Sequence, residues 1–172
     1  GEASVVEGQS ASYAVLLDGV GLAAGQSVTL TLDTTGLTAT EGTDYAALLS
    51  ADLRAASGIT LSGITTDPVT KAVTVTATNT SSSALAVGAQ LLTFAVSSSA
   101  DTTAESAESY QVSLTSATAT VTTGPDVGAA SGQGQLTTTI NNSGGFGPVT
   151  IRLNGEASVV EGQSASYAVL LD

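Results

Sequence analysis

Ser27-Val28-Thr29-Leu30-Thr31-Leu32-Asp33 alternates without a break, with Val28, Leu30 and Leu32 on one side and Thr29 and Thr31 on the other. Successive side chains of an extended chain point to opposite faces, so this stretch reads as a half-buried strand. The same alternation recurs on both sides of it. Ser10–Leu17 puts Ala11, Tyr13, Val15 and Leu17 on one face, and Ala72–Thr78 does so with Val73, Val75 and Ala77. Gln90–Ser97 gives Leu92, Phe94 and Val96, and Ser109–Ala117 gives Tyr110, Val112 and Leu114. Gly134–Ile140 contributes Leu136, Thr138 and Ile140, and Pro148–Asn154 contributes Val149, Ile151 and Leu153. Ala3–Val6, Ile59–Ser62 and Ala119–Thr122 are shorter candidates.

Turn-rich links separate these strands: Asp18-Gly19 with Gly21, Asn79–Ser83 and Ser143–Gly147. Many short strands punctuated in this way predict an all-β, Ig-like Greek-key sandwich. One segment breaks the rhythm. Tyr45–Ala56 (YAALLSADLRAA) is rich in Ala and Leu and has no β-branched residue. It predicts one short helix inserted in a loop, stopped by Gly58.

The composition narrows the class. Of 172 residues 42% are apolar but only 3% aromatic, so the core is built from Val, Leu, Ile and Ala. No apolar run approaches the length that crosses a bilayer as a helix, so no membrane insertion is expected. No signal peptide opens the chain, which reads as an internal piece of a longer exported protein. Three basic against 15 acidic residues give a net charge of -12. Nothing here would neutralise phosphates, which argues against a nucleic-acid partner. The acidity serves either solubility or the binding of hard cations. The chain has no Cys and no His, which removes disulfides, thiolate chemistry and the commonest general base.

Residues 1–18 read GEASVVEGQSASYAVLLD, and residues 155–172 repeat them without a substitution, a period of 154. Identity of letters rather than pattern points to tandem duplication, an overlap introduced by cloning being the competing explanation. The expected organisation is one sandwich over residues 1–147, with 148–172 forming an inter-repeat joint and the start of the next repeat. The joint lies in Ser143–Gly155 (SGGFGPVTIRLNG), so the natural unit begins near Pro148 and its PVTIRLN precedes only the second copy here. An array of identical units argues against an enzyme, because reach grows with copy number whereas catalysis does not.

Three acidic motifs lie at strand ends. Glu7-Gly8 precedes a strand, Gly42-Thr43-Asp44-Tyr45 follows one, and Glu105-Ser106-Ala107-Glu108, with Asp101 upstream, precedes SYQVSL. Ca2+ takes about six to eight oxygen ligands on a mouldable loop frame, which loops at one pole of a sandwich can supply. Glu7, Asp44, Asp101 and Glu105, with Glu108 as a further candidate, would converge there; the alternative is that they are solvated loop carboxylates. In order and spacing the three motifs resemble the Calx-β family of calcium-binding sandwiches over about residues 3–142. SADTTAESAESYQVSL and DPVTKAVTVTATNTS look like extender units of large RTX-type bacterial biofilm adhesins. The resemblance implies a Ca2+ site that also uses a residue after the last strand. This chain has Asn141-Asn142 where the family often has an aspartate pair, so Asn142 would be a weaker ligand. The glycine-rich calcium nonapeptide of RTX solenoids is absent: no Asp follows Gly144-Gly145-Phe146-Gly147.

Other chemistries fit less well. A carboxylate pair for glycoside hydrolysis would lack an aromatic sugar platform. Asn79-Thr80-Ser81 and Asn141-Asn142-Ser143 are glycosylation sequons by pattern but read as ordinary turns. Tyr13, Tyr45 and Tyr110 read as packing residues. The expected function is a spacer on a bacterial cell surface, partnered by neighbouring repeats and rigidified by calcium. The alternative is a repeated module that binds a surface polysaccharide. The strand Ser164–Leu171 has no sandwich of its own, so strand exchange between copies is expected to dock it on this sandwich or another.

Overall fold

The computed structural model describes residues 1–19, 21–101, 103, 105–119, 134–142 and 151–171. Eleven strands are described: β1 Ser4–Val6, β2 Ser10–Leu16, β3 Ser27–Gly36, β4 Arg54–Ala55, β5 Ile59–Thr66, β6 Val73–Asn79, β7 Gln90–Ser97, β8 Glu108–Ala119, β9 Gln135–Asn141, β10 Ile151–Gly155 and β11 Tyr167–Leu171. A six-stranded sheet in the order β1-β9-β8-β3-β6-β5 faces a three-stranded sheet in the order β2-β7-β4. β10 and β11 form a two-stranded sheet of their own. The pairings are antiparallel except that β1 runs parallel to β9, with Val5 opposite Ile140. The chain is an all-β sandwich, as the alternation predicts.

The inward faces are those read from the sequence. Val28, Leu30, Leu32, Val73, Val75, Ala77 and Val112 of the large sheet share one core with Ala11, Tyr13, Leu92, Phe94 and Val96 of the small one. On the other face of the large sheet hydroxyls pair across β3 and β6: Ser27 with Thr78 at 2.8 Å, Thr29 with Thr76 at 2.9 Å and Thr31 with Thr74 at 3.1 Å. Such cross-strand pairs help to hold register where a one-residue slip would turn every Val outward.

With few aromatics, each one matters. Tyr13 stacks on Phe94 at 5.1 Å, and Tyr45 on Tyr110 at 4.7 Å. The Tyr13 hydroxyl lies 2.8 Å from that of Tyr110 and 2.5 Å from Thr138 Oγ1, and Thr138 donates to the Glu2 carbonyl at 2.7 Å. This chain of hydroxyls joins the two sheets through the core and leaves no polar tip unsatisfied. Burial pushes the Tyr13 and Tyr110 phenols up from their ordinary value of 10.0.

Asn79 closes β6. Its amide donates to the carbonyls of Leu22 and Ser83, at 2.8 and 2.9 Å, while its oxygen accepts from Ser81 N–H and Oγ. The side chain is wholly buried, so this sequon is a structural turn, as the sequence implies.

The expected helix over Tyr45–Ala56 is not formed. The segment holds only a 3-10 turn at Ser50–Asp52. The rest is extended, and its hydrogen bonds go to the small sheet. Tyr45 bridges Ser98, Ala46 donates to Ser97, and Arg54 and Ala55 pair with Thr93 and Leu92. Leu48 and Leu53 are buried five residues apart, a spacing that no single helical face provides. Sheet pairing overrides a propensity that differs by only tenths of a kcal/mol per residue. Gly58 has φ 77° and turns the chain into β5 instead of capping a helix.

The C-terminal segment forms a hairpin of its own. Tyr167–Leu171 pairs with Ile151–Gly155 and not with a sandwich strand. Leu153, expected on an apolar strand face, is 71% exposed. Thr120–Thr122, the Ser143–Gly147 joint, Pro148 and Val149 lie outside the described residues, and with them the expected boundary at 147/148.

Candidate metal centre

Three loops carry the acidic motifs to one end of the sandwich. The first leaves β1 through Glu7, whose N–H donates to Asn141 O at 3.0 Å, and Gly8, whose N–H donates to Ser99 O at 3.2 Å. Gly8 has φ 74°, and a Cβ there would lie 2.9 Å from that of Ala100, so only glycine lets these two loops approach. The second is a tight turn in which Thr43 and Asp44 N–H both reach Thr40 O. Asp44 Oδ2 accepts the Thr40 N–H at 2.6 Å, which fixes the carboxylate's direction. The third runs from Asp101, whose Oδ1 accepts Thr103 N–H at 2.6 Å, to Glu108 at the start of β8.

Carboxylate oxygens of Asp44, Glu105 and Glu108 lie within 4.8 Å of one another. Asp44 and Glu108 are half-buried and Glu105 is exposed. Just below them Tyr45 and Tyr110 are almost wholly buried and stacked at 4.7 Å. Tyr45 follows Asp44 and Tyr110 lies two residues after Glu108. The stack is therefore an apolar anchor that sets the separation of two of the three carboxylates.

The electrostatics record the crowding. Loss of surrounding water raises the Glu108 carboxyl above its usual 4.5, followed by its hydrogen bond with Asp44 and the charges of Asp44, Glu105 and Glu7. Glu105 is raised in the same direction, by loss of water first and then by the charges of Asp101, Asp44 and Glu7. Tyr45, buried beside Glu41, Asp33 and Asp44, is pushed up to about 12. Glu105 and Glu108 therefore hold their protons more tightly than free carboxyls do, and a nearby counter-charge would work in the opposite direction.

Of the residues singled out in the sequence, Asp44, Glu105 and Glu108 are brought together. Glu7 acts through its charge on both glutamates and Asp101 on Glu105, without joining the cluster of three. Asn142 sits beside this loop: its amide nitrogen donates to the carbonyls of Thr103, at 2.9 Å, and Glu105, at 3.5 Å, so it ties the acidic loop to the end of β9. The sequence reading missed the clamp from Thr40 N–H and the tyrosine stack, although a Tyr one or two residues after an acid in two separate motifs was a visible sign. The donor set is entirely oxygen, which suits Ca2+ or Mg2+ and not a soft metal.

A groove of about 530 Å3 lies elsewhere, on the small sheet, lined by Ser12, Ala14, Asp52, Arg54, Thr93 and Ala95 among others. Among the described residues no helix is long and apolar enough to cross a membrane. The chain matches no family model and no curated protein.

Proposed function

We propose that the chain is a spacer unit from a tandemly repeated bacterial surface adhesin, stiffened by calcium and holding a distal adhesive domain away from the cell. The observation that carries this reading is the identical recurrence of residues 1–18 at 155–172. An extended array needs many copies of one rigid element, and a β-sandwich is such an element. Calcium is supported by the meeting of Asp44, Glu105 and Glu108, which come from two motifs some 60 residues apart.

In this reading Asp44, Glu105 and Glu108 supply the negative oxygens, and Glu7 and Asp101 add long-range attraction. The cation supplies the counter-charge that lets all three acids ionise together. It also cross-links the turn before Tyr45 to the loop before β8, above the Tyr45–Tyr110 stack that joins them from below. Asn142 keeps the acidic loop close enough for this. The polysaccharide reading has less to support it: among the described residues Tyr13, Tyr45, Phe94 and Tyr110 are buried and Tyr167 is the exposed aromatic.

Calorimetry tests the calcium part: the melting temperature should be higher in calcium than in EDTA, and identical curves would refute it. Small-angle scattering of chains with two, three and four units tests the spacer part. The maximum dimension should grow linearly with unit number in calcium, and a compact profile would refute it.

A further inference from the structure

The chain contains the same 18 residues in two settings, and their local geometry is shared. Glu2 N–H donates to Ser12 O at 3.2 Å and Ser12 N–H to Glu2 Oε2 at 2.6 Å. In the second copy Glu156 N–H donates to Ser166 O at 3.4 Å and Ser166 N–H to Glu156 Oε2 at 3.2 Å. The Tyr13 ring covers Gly1 and the Tyr167 ring covers Gly155, so closely that a Cβ would lie 2.4 Å and 2.0 Å from the respective Cδ1 atoms. The copies differ in what precedes the glycine. In the second, the chain continues back as β10 and pairs Gly155 with Tyr167, Asn154 with Ala168, Leu153 with Val169, Arg152 with Leu170 and Ile151 with Leu171.

In the first copy no strand among the described residues covers the corresponding edge. β2 lies at the end of the order β2-β7-β4. Ser98 N–H reaches Gln9 O, and Leu17 N–H reaches Ala89 O, so the odd-numbered residues of β2 bond toward β7. Antiparallel ladders alternate, which turns the backbone groups of Ala14 and Leu16 outward. Their counterparts Ala168 and Leu170 are those that face Asn154 and Arg152. Exposure agrees: Leu16 is 56% exposed, whereas Leu170, opposite Arg152, is half-buried. The complementary want lies on the hairpin. Leu153, Tyr167 and Val169 share its apolar face and are 71%, 63% and 71% exposed, while Tyr13 and Val15 pack into the core.

We infer that the free edge of β2 is a receptor for a strand of the sequence Ile151–Gly155, in the register seen between β10 and β11. The strand enters the sandwich as a fourth member of the small sheet, beside β2, with its leucine turned to the core next to Val15. In a tandem array this strand is the segment directly ahead of each copy, so each joint is itself a sheet strand of the sandwich it leads into and carries no slack. That such a strand precedes every copy rests on the array reading; the pairing does not.

The test places residues 148–154 (PVTIRLN) ahead of Gly1 in the full chain, beside a second version with proline in place of the arginine. Hydrogen exchange is read at Ala14 and Leu16, together with the melting temperature. Exchange at both amides should slow by at least about tenfold and melting should rise with the native extension, and the proline version should reverse both. Unchanged exchange at Ala14 and Leu16 with the native extension overturns the inference, whatever shape an array takes. Protection at these amides in an array that scattering shows to be compact would leave the pairing standing and remove the spacer reading.

Discussion

Replacing Glu108 with glutamine should raise the stability of the metal-free protein and lower that of the calcium-loaded protein. The acid sits within 4.8 Å of Asp44 and Glu105, and water loss, Asp44 and Glu105 all push its carboxyl toward the protonated form. Glutamine keeps the length, can still donate to Asp44, and removes one of three converging charges. Calcium at a hundredfold excess over Kd stabilises a native state by about 2.7 kcal/mol. In a domain of this size each kcal/mol moves the melting temperature by about 2–4 °C, so calcium should shift the parent by roughly 5–10 °C. E108Q should lose most of that shift while starting from a higher melting temperature in EDTA. The assay is scanning calorimetry of both proteins in EDTA and in calcium, with magnesium as a second cation. The crossover is the signature, because a purely structural loss lowers both curves. An unchanged parent in calcium, or an E108Q that melts lower in EDTA and keeps the full calcium shift, would refute the reasoning.

Three further outcomes follow from the same geometry. In EDTA, stability should fall as pH rises from 4.5 through the raised values of Glu105 and Glu108, because the folded state holds those protons more tightly than the unfolded chain; urea unfolding across pH 4.5–7 would read it, and calcium should reverse the slope. Asp67 shifts the other way, losing its contribution only below 3.8, outside this window. Asn79→Ala should cost about 2–4 kcal/mol in urea unfolding, since it removes a wholly buried amide that donates to Leu22 O and Ser83 O and accepts from Ser81, leaving Leu22 O with only its bond from Leu85 N–H. Thr138→Val should cost about 1–3 kcal/mol by leaving the Glu2 carbonyl without its donor, with an unchanged denaturant slope.

The strands were legible because their burial alternates, and the alternation is written in residue type. β3, β6 and β7 read Val-Thr-Leu-Thr, Val-Thr-Val-Thr and Leu-Thr-Phe, and each inward letter is buried. The helix over Tyr45–Ala56 was misread because its extended form rests on partners in β7, more than 30 residues away, and local propensity is blind to them. For the acidic site, residue type and position at strand ends were enough to nominate the carboxylates. They could not separate Asp44, Glu105 and Glu108 from Glu7 and Asp101, because that depends on where the stacked Tyr45 and Tyr110 place the loops. Nor could they show Asn142 as a tether, since its contacts are with backbone carbonyls, which leave no mark in the sequence.

The duplicated segment makes the limit concrete. Tyr13 is 5% exposed and Tyr167 is 63% exposed, although 18 consecutive letters around them are the same. The local turn, the Glu-to-Ser clamp and the glycine under the ring survive the change of setting, so these belong to the segment. Burial does not survive it, so burial belongs to the sheet that receives the segment. Here the second copy is paired with its upstream strand, and the first sits in the sandwich with β2 at a sheet edge. Each copy therefore displays one half of the contacts that the same residues would make in the interior of an array. A sandwich whose β2 carries both β7 and a joint strand satisfies the apolar face of Leu153 and the backbone of Ala14 and Leu16 at once, and neither half alone does so.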